Sequence, residues 1–308
     1  VLDGASSYFK ALTGNLDGAY ALSPYQNTAA IYLIEEKRAL WEFQLDLTDA
    51  EKALLKQRIW NLKDRRDKYS LVSYNCNSAL ERLLSGGNSD FKRLTAKPFT
   101  TPVEYATFLY AGGKIKSVSY VRPPARKNKP VKNILKAKPS SRLAIETGYL
   151  EFFPVYQDLR TITDAYADEL ETKMLSVRFD FKNKFRLDKL DLLKLFSVQP
   201  LSRYFRIGYE NGGLVEAGIG AGLNSDGFSA YVLPIFGARE SQAFVGAKIG
   251  FIKRFSDRAK ITASYETATD KKVFNAYVGY ALSRYFEIYA QYEHAGKTET
   301  TVGLAWYF

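Results

Sequence analysis

Along residues 244–251 the chain alternates strictly in character. Val245, Ala247, Ile249 and Phe251 stand on one side of the alternation, and Phe244, Gly246, Lys248 and Gly250 on the other. Phe286, Ile288, Ala290 and Tyr292 alternate with Glu287, Tyr289, Gln291 and Glu293, and Val302, Leu304, Trp306 and Phe308 with Thr301, Gly303, Ala305 and Tyr307. A period of two belongs to a strand whose faces meet different surroundings, because successive side chains leave the backbone on opposite sides. Turn signals separate the runs at Asn211-Gly212-Gly213, Asn224-Ser225-Asp226-Gly227, Ser256-Asp257, Asp270-Lys271 and Ala295-Gly296. From residue 141 to 308 the pattern predicts an antiparallel β-barrel of about twelve strands, an even number that returns the last strand to the side where the first began. Each strand can reach roughly 9 to 11 residues, the length that crosses a bilayer when tilted.

A soluble barrel alternates too, with its apolar face inward. Here the second face carries Tyr289, Gln291 and Glu293, large polar groups that suit a wet or hydrogen-bonded lumen and leave lipid for the outside. Gly246 lies on that lumenal face, where a charge is expected to be tolerated better than at Ala247. Aromatics make up 15% of the chain, with 22 Tyr and 20 Phe, as girdles at both interfaces require. The final run Gly303-Leu304-Ala305-Trp306-Tyr307-Phe308 resembles the Gly-x-x-aromatic-x-Phe terminal strand of bacterial outer-membrane proteins. No stretch of about 20 apolar residues occurs, so a membrane-crossing helix is excluded. The expected location is the outer membrane of a Gram-negative cell, with the N-terminal part facing the periplasm.

Upstream of the barrel the period changes. Residues 29–47 read as extended structure apart from the charged patch 35–38. Thr48-Asp49-Ala50-Glu51 is a capping box, and Leu54, Leu55, Ile59 and Leu62 follow at helical spacing, predicting a helix over about 49–63. The strand-like run from Tyr69 to Tyr74 leads into Asn75-Cys76-Asn77 and a second helix, with Ala79, Leu80, Leu83 and Leu84 on one face and Gly86-Gly87 at its end. A third helix opens at Thr101-Pro102-Val103-Glu104 and closes at Gly112-Gly113. These elements set an α+β segment over residues 1–114, a basic Pro-containing linker over 115–140 and the barrel over 141–308.

Arg122, Arg126, Lys127, Lys129, Lys132, Lys136, Lys138 and Arg142 are interleaved with four prolines and no acidic residue, and supply most of the local excess behind the net charge of +11. One reading is a solvated linker; the other is a collar on phosphate headgroups, gaining roughly 1 kcal/mol per basic residue near an anionic surface. Neither a helix nor an aromatic platform accompanies these charges, so nucleic acid is not an expected partner.

Cys76 is the only cysteine, so it makes no internal disulfide. It falls at the predicted start of a helix, where free N–H groups and the positive dipole end favour a thiolate. A lone cysteine is also a common small core residue. A thiol nucleophile needs a base, normally histidine. The single histidine, His294, lies at the end of the penultimate strand beside Ala295-Gly296 and reads as a strand-end polar residue. No metal cluster, phosphate-binding glycine loop or serine elbow appears, and no cofactor is expected. The chain opens at Val1 with no start Met, charged n-region or small-residue cleavage site, so a signal peptide is not among these residues.

The run from Arg38 through Trp41 to Thr48, the helix ending near Trp60-Asn61-Leu62, Tyr69, Tyr74-Asn75-Cys76 and Phe99-Thr100-Thr101-Pro102 together resemble the Lnb-type bacterial lipoprotein N-acyltransferase family over residues 38–110. The resemblance implies part of a permuted papain-like domain, with Cys76 as nucleophile and Tyr74, Asn75 and Asn77 around it. It implies a thioester on Cys76, a phospholipid as acyl donor and the N-terminal amine of a lipoprotein as acceptor. The backbone N–H of Cys76 or Asn77 is a candidate oxyanion donor. In that arrangement the histidine precedes the cysteine, which places the expected base upstream of Val1. Helix cap for Asn75 and core aromatic for Trp41 stand as the plain alternatives. At the level of function the alternatives are a barrel serving as pore or scaffold with an inactive periplasmic domain, and a cysteine amidase or peptidase.

Overall fold

A computed structural model describes residues 10–11, 13–36, 38–70, 73–93, 100–124, 133–163, 169–182, 185–210, 212–225, 227–269 and 271–308. The basic residues Arg126, Lys127, Lys129 and Lys132, the motif residue Phe99 and the turn residues Asn211, Asp226 and Asp270 lie outside the described residues. The chain divides into two compact units, Val1–Leu135 and Lys136–Phe308.

Among its described residues the first unit has two small antiparallel pairs and the four α-helices given below. Strand β1 (Leu16–Ala19) pairs with β3 (Arg66–Tyr69), and β2 (Leu40–Leu45) with β4 (Ile115–Val121). The helices are α1 (Tyr25–Ala30), α2 (Asp49–Leu62), α3 (Cys76–Ser85) and α4 (Pro102–Ala111). All three predicted helices form. Thr48 and Glu51 exchange side-chain-to-backbone bonds at the head of α2, and Thr101 and Glu104 do the same at α4, with Pro102 in the first turn. Asn88 Nδ2 donates to Glu51 Oε1 at 2.7 Å. These bonds hold the Glu51 carboxyl down at about 2, with the Asn88 bond the largest cause and Thr48 next.

Leu84, Phe91, Tyr105, Leu109 and Ile115 form the core of this unit, flanked by Phe43, Leu45, Leu55 and Val118. Tyr105 donates to Phe91 O at 2.8 Å, and Arg93 grips Glu81 through Nε at 2.9 Å and Nη2 at 2.6 Å while also donating to Thr100 Oγ1. Two expectations change here. Residues 25–35 are helical, α1 running into a π-helix over Ile31–Glu35, and only Leu40–Leu45 is extended. Tyr, Ile and Leu suit a strand by propensity, yet local i→i+4 and i→i+5 bonds prevail where no partner strand lies alongside. The linker expected from residue 115 also begins later, because Ile115–Val121 pairs with β2.

The second unit is a closed antiparallel barrel. Its strands are β5 (Arg142–Glu146), β6 (Tyr149–Phe153) continued past Pro154 by β7 (Val155–Gln157), β8 (Glu169–Asp180), β9 (Arg186–Val198), β10 (Leu201–Glu210), β11 (Gly213–Ser225), β12 (Phe228–Arg239), β13 (Gln242–Arg254), β14 (Ala259–Ala268), β15 (Lys272–Ala281), β16 (Phe286–His294) and β17 (Thr298–Tyr307). Both β6 and β7 pair with β8, so they count as one strand interrupted at Pro154, and β5 pairs with β17 to close a ring of twelve. Proline lacks the N–H that a ladder needs, which accounts for the break. Gly227 and Gly296 adopt φ of +78° in turns that require the left-handed region.

The alternation resolves as expected. Val245, Ile249 and Phe251 are 65%, 55% and 43% exposed on the outer wall, whereas Phe244 and Ile252 of the same strand are 4% and 1% exposed inside. Ile288, Val302, Leu304 and Trp306 also face outward, and Glu287, Tyr289 and Tyr307 inward. An apolar outer wall this continuous is stable only against lipid. Inside, charges pair: Arg206 with Asp191 at 2.6 Å, Lys194 with Glu171 at 2.8 Å, Arg142 with Glu151 at 3.2 Å. Inward tyrosines lie over glycines of adjacent strands, Tyr231 against Gly250 and Tyr289 against Gly303, where any Cβ would meet the ring. Two members of the basic run are neither solvated nor at a headgroup. Lys138 bonds Glu287 at 2.6 Å, and Arg142 is buried in β5.

Candidate active site

Cys76 owes its position to a tight reversal. The strand β3 ends at Tyr69, and Ser70 and Tyr74 then bond each other, Ser70 N to Tyr74 O at 2.8 Å and Tyr74 N to Ser70 O at 3.1 Å. Ser70 Oγ also accepts the Ser73 N–H at 3.2 Å. The chain emerges at Asn75 in an extended conformation that caps α3, and Cys76 is the first residue of the helix. Asn75 Oδ1 accepts the N–H of Asn77 at 2.9 Å and of Ser78 at 3.1 Å, and Ser78 Oγ accepts the Asn75 N–H at 2.8 Å. This reciprocal cap fixes the helix start. The Cys76 thiol is exposed there, at the positive end of the helix.

The cap limits the chemistry. The Asn77 N–H bonds Asn75 and is not available to a substrate oxygen, which leaves the Cys76 N–H as the oxyanion donor of the two candidates. The Asn77 side chain is buried at 2% exposure, and neither of its amide atoms has a hydrogen-bond partner among the described residues. Tyr74 turns its hydroxyl to the Tyr20 hydroxyl and to Asp67 Oδ2, the latter at 3.3 Å, and the Arg82 guanidinium sits 4.6 Å over its ring. Burial, then the Tyr74 hydroxyl, pushes Tyr20 up to about 12.

One group at the thiol was not singled out in the sequence as a participant. The Tyr69 phenol lies close to Cys76, and burial followed by the neighbouring cysteine pushes it up to about 12. A phenol that keeps its proton is a donor to sulfur. The sequence carried a signal for it: a strand ending seven residues before the helix start folds back across the Ser70–Tyr74 bridge. His294 belongs to the hairpin between β16 and β17, where Nδ1 and Thr298 Oγ1 share a hydrogen bond of 2.9 Å, the strand-end role its position suggested.

Residues 2–107 match the family model of the Lnb N-terminal periplasmic domain. Among solved structures, the chain is similar to the KdgM porin, 11% identical over 55% of this chain and 97% of the porin with a TM-score of 0.38. The KdgM porin in complex with disordered oligogalacturonate aligns likewise, at 11% identity over 55% of this chain and 97% of that one, TM-score 0.39. The outer membrane protein Omp33 of Acinetobacter baumannii is 11% identical over 54% of this chain and 72% of its own, TM-score 0.28. No curated protein matches the chain. A periplasmic domain family thus precedes a twelve-strand barrel of outer-membrane type.

Proposed function

We propose that this chain is a thiol-dependent acyltransferase of the outer membrane, moving an acyl group from a phospholipid to the N-terminal amine of a lipoprotein. The observation that carries the reading is the exposed Cys76 thiol at the capped start of α3, with the Tyr69 phenol close by. The match of residues 2–107 to the Lnb N-terminal periplasmic domain supports it.

In the first half-reaction the Cys76 thiolate attacks the ester carbonyl of the phospholipid. The carbonyl oxygen takes up negative charge beside the Cys76 N–H, and collapse expels the lysophospholipid alkoxide, which takes a proton. In the second, the free α-amine of the lipoprotein attacks the thioester. It loses a proton, an amide forms and the thiolate of Cys76 is released. Two steps through a thiolate leaving group replace one direct aminolysis of an ester. Neither substrate leaves the membrane surface, which fits a catalytic unit tethered to a barrel. The reading requires a base other than His294, the one histidine of the sequence.

A second reading is a membrane scaffold whose periplasmic unit is inactive. Mass spectrometry of lipoprotein N-termini separates the two. Cells in which Cys76→Ser replaces the wild-type chain are expected to lose N-acylation while the barrel still assembles. Undiminished N-acylation in those cells rejects the acyltransferase and leaves the scaffold.

A further inference from the structure

We infer that the barrel is a sealed anchor and not a through-channel, with residues 158–163 as its stopper. Loops that connect strands run over the surface and face water. This one turns into the lumen, where Asp158 and Ile162 are 5% and 2% exposed and Leu159, Thr161 and Thr163 are buried with them. Asp158 Oδ2 meets Lys173 Nζ of β8 at 2.6 Å and Arg160 at 3.0 Å. Arg160 donates to Gln291 Oε1 of β16 at 2.5 Å and lies 5.4 Å over the Tyr277 ring of β15. Lys260 of β14 donates to the Thr161 carbonyl at 3.2 Å. Leu159 joins the apolar cluster of Phe196, Tyr231 and Ile252 from β9, β12 and β13. One short segment is therefore fastened to inward side chains of β8 and of β14 to β16, strands from opposite sides of the ring.

The space left inside agrees with a floor at that level. A polar cavity of about 910 Å³ has Thr269, Ala295 and Gly296 at one rim, in the turns after β14 and β16, and Asp158, Leu159 and Arg160 among its lining. Lys138, Glu169, Lys260 and Glu287 do not line it. They lie at the opposite end, where the barrel chain enters, and close that end with ion pairs of 2.6 Å between Lys138 and Glu287 and 2.7 Å between Lys260 and Glu169. Ion conduction needs a continuous path with groups that replace hydration water weakly enough to release the ion. Here the path meets a peptide segment whose charges already have protein partners, so the cavity is a blind vestibule open at one end.

This inference stands apart from the acyltransferase reading and is tested on the full chain, folded in detergent and added to a planar phospholipid bilayer in KCl. The wild-type protein is expected to give no stepwise current above the protein-free membrane. The triple variant Asp158→Ser, Leu159→Ser, Arg160→Ser, which keeps all twelve strands, is expected to give discrete steps once heat-modifiable gel mobility has established its fold. Steps from the wild-type protein overturn the inference whatever the variant does. A folded triple variant as silent as wild type overturns the assignment of residues 158–163 as the seal.

Discussion

Asn75 Oδ1 accepts the backbone N–H of Asn77 at 2.9 Å, so the residue before Cys76 and the residue after it are joined across it. Cys76 is held between them at a fixed helix start. Replacing such a cap by alanine costs typically about 1 kcal/mol. Asn75→Ala is therefore expected to speed amide hydrogen exchange at Asn77 and Ser78 several-fold, and Asn75→Asp, which also caps, to restore protection. Unchanged exchange in Asn75→Ala would mean that the cap does not hold α3.

Tyr69→Phe removes a donor and leaves the ring. A polar neighbour of the sulfur is then lost, and an intramolecular hydrogen bond contributes about 0.5–1.5 kcal/mol, so alkylation of Cys76 by iodoacetamide at neutral pH is expected to slow several-fold. Mass spectrometry of the Cys76 peptide over time gives the rate directly. An unchanged rate would remove Tyr69 from the site.

Glu51 provides a test in pH. Its carboxyl is held at about 2 in the folded state against an ordinary 4.5, so folding favours the ionised form. That contribution is complete above about 4.5, falls as pH drops below it, and is gone below about 2. Glu51→Gln keeps a capping side chain but cannot titrate. Wild type is expected to lose stability relative to Glu51→Gln as the pH falls from 5 to 2, with denaturation of the first unit followed by tyrosine and tryptophan fluorescence. Parallel pH profiles would refute the assignment.

For the barrel, Ala247→Arg places a charge on the lipid face at a cost of roughly 2–4 kcal/mol near the midplane. Gly246 is not the lumenal comparison that the alternation suggests, because a Cβ there would lie 2.8 Å from Ala268 Cα of the next strand. Asn275 lines the open cavity and has room. Ala247→Arg is expected to deplete the heat-modifiable folded form in membranes, and Asn275→Lys to leave it near wild type. Equal depletion would argue against a wet lumen, and recovery of the chain without detergent would argue against lipid outside.

His294→Gln is expected to be nearly silent in lipoprotein N-acylation, since glutamine can still bond Thr298 across the hairpin. A loss as large as that of Cys76→Ser would make this imidazole the missing base.

The barrel was legible because one physical rule, a period of two between lipid and lumen, repeats across twelve strands and needs no long-range information. The helix starts at Thr48 and Thr101 were legible for the same reason: each box is complete within four residues. Ile31 to Glu35 misled because strand-forming side chains settle into helical turns when no edge is offered to them. The 158–163 stopper depends on partners that only tertiary closure supplies, Lys173, Lys260 and Gln291 among them. Gly246 is a case between: its face was readable, but its close approach to Ala268 was not.

The seam of the barrel pairs Arg142 with Tyr307, the beginning and the end of the ring. Contacts so distant in sequence form late, since the loop they close must first be gathered at an entropic cost. Until then β17 and β5 each present an open ladder, the kind of edge on which chains aggregate. The window of danger therefore stays open until the last residues have arrived and the first barrel strand has come round to meet them. Both edges must be kept from other chains until the ring closes.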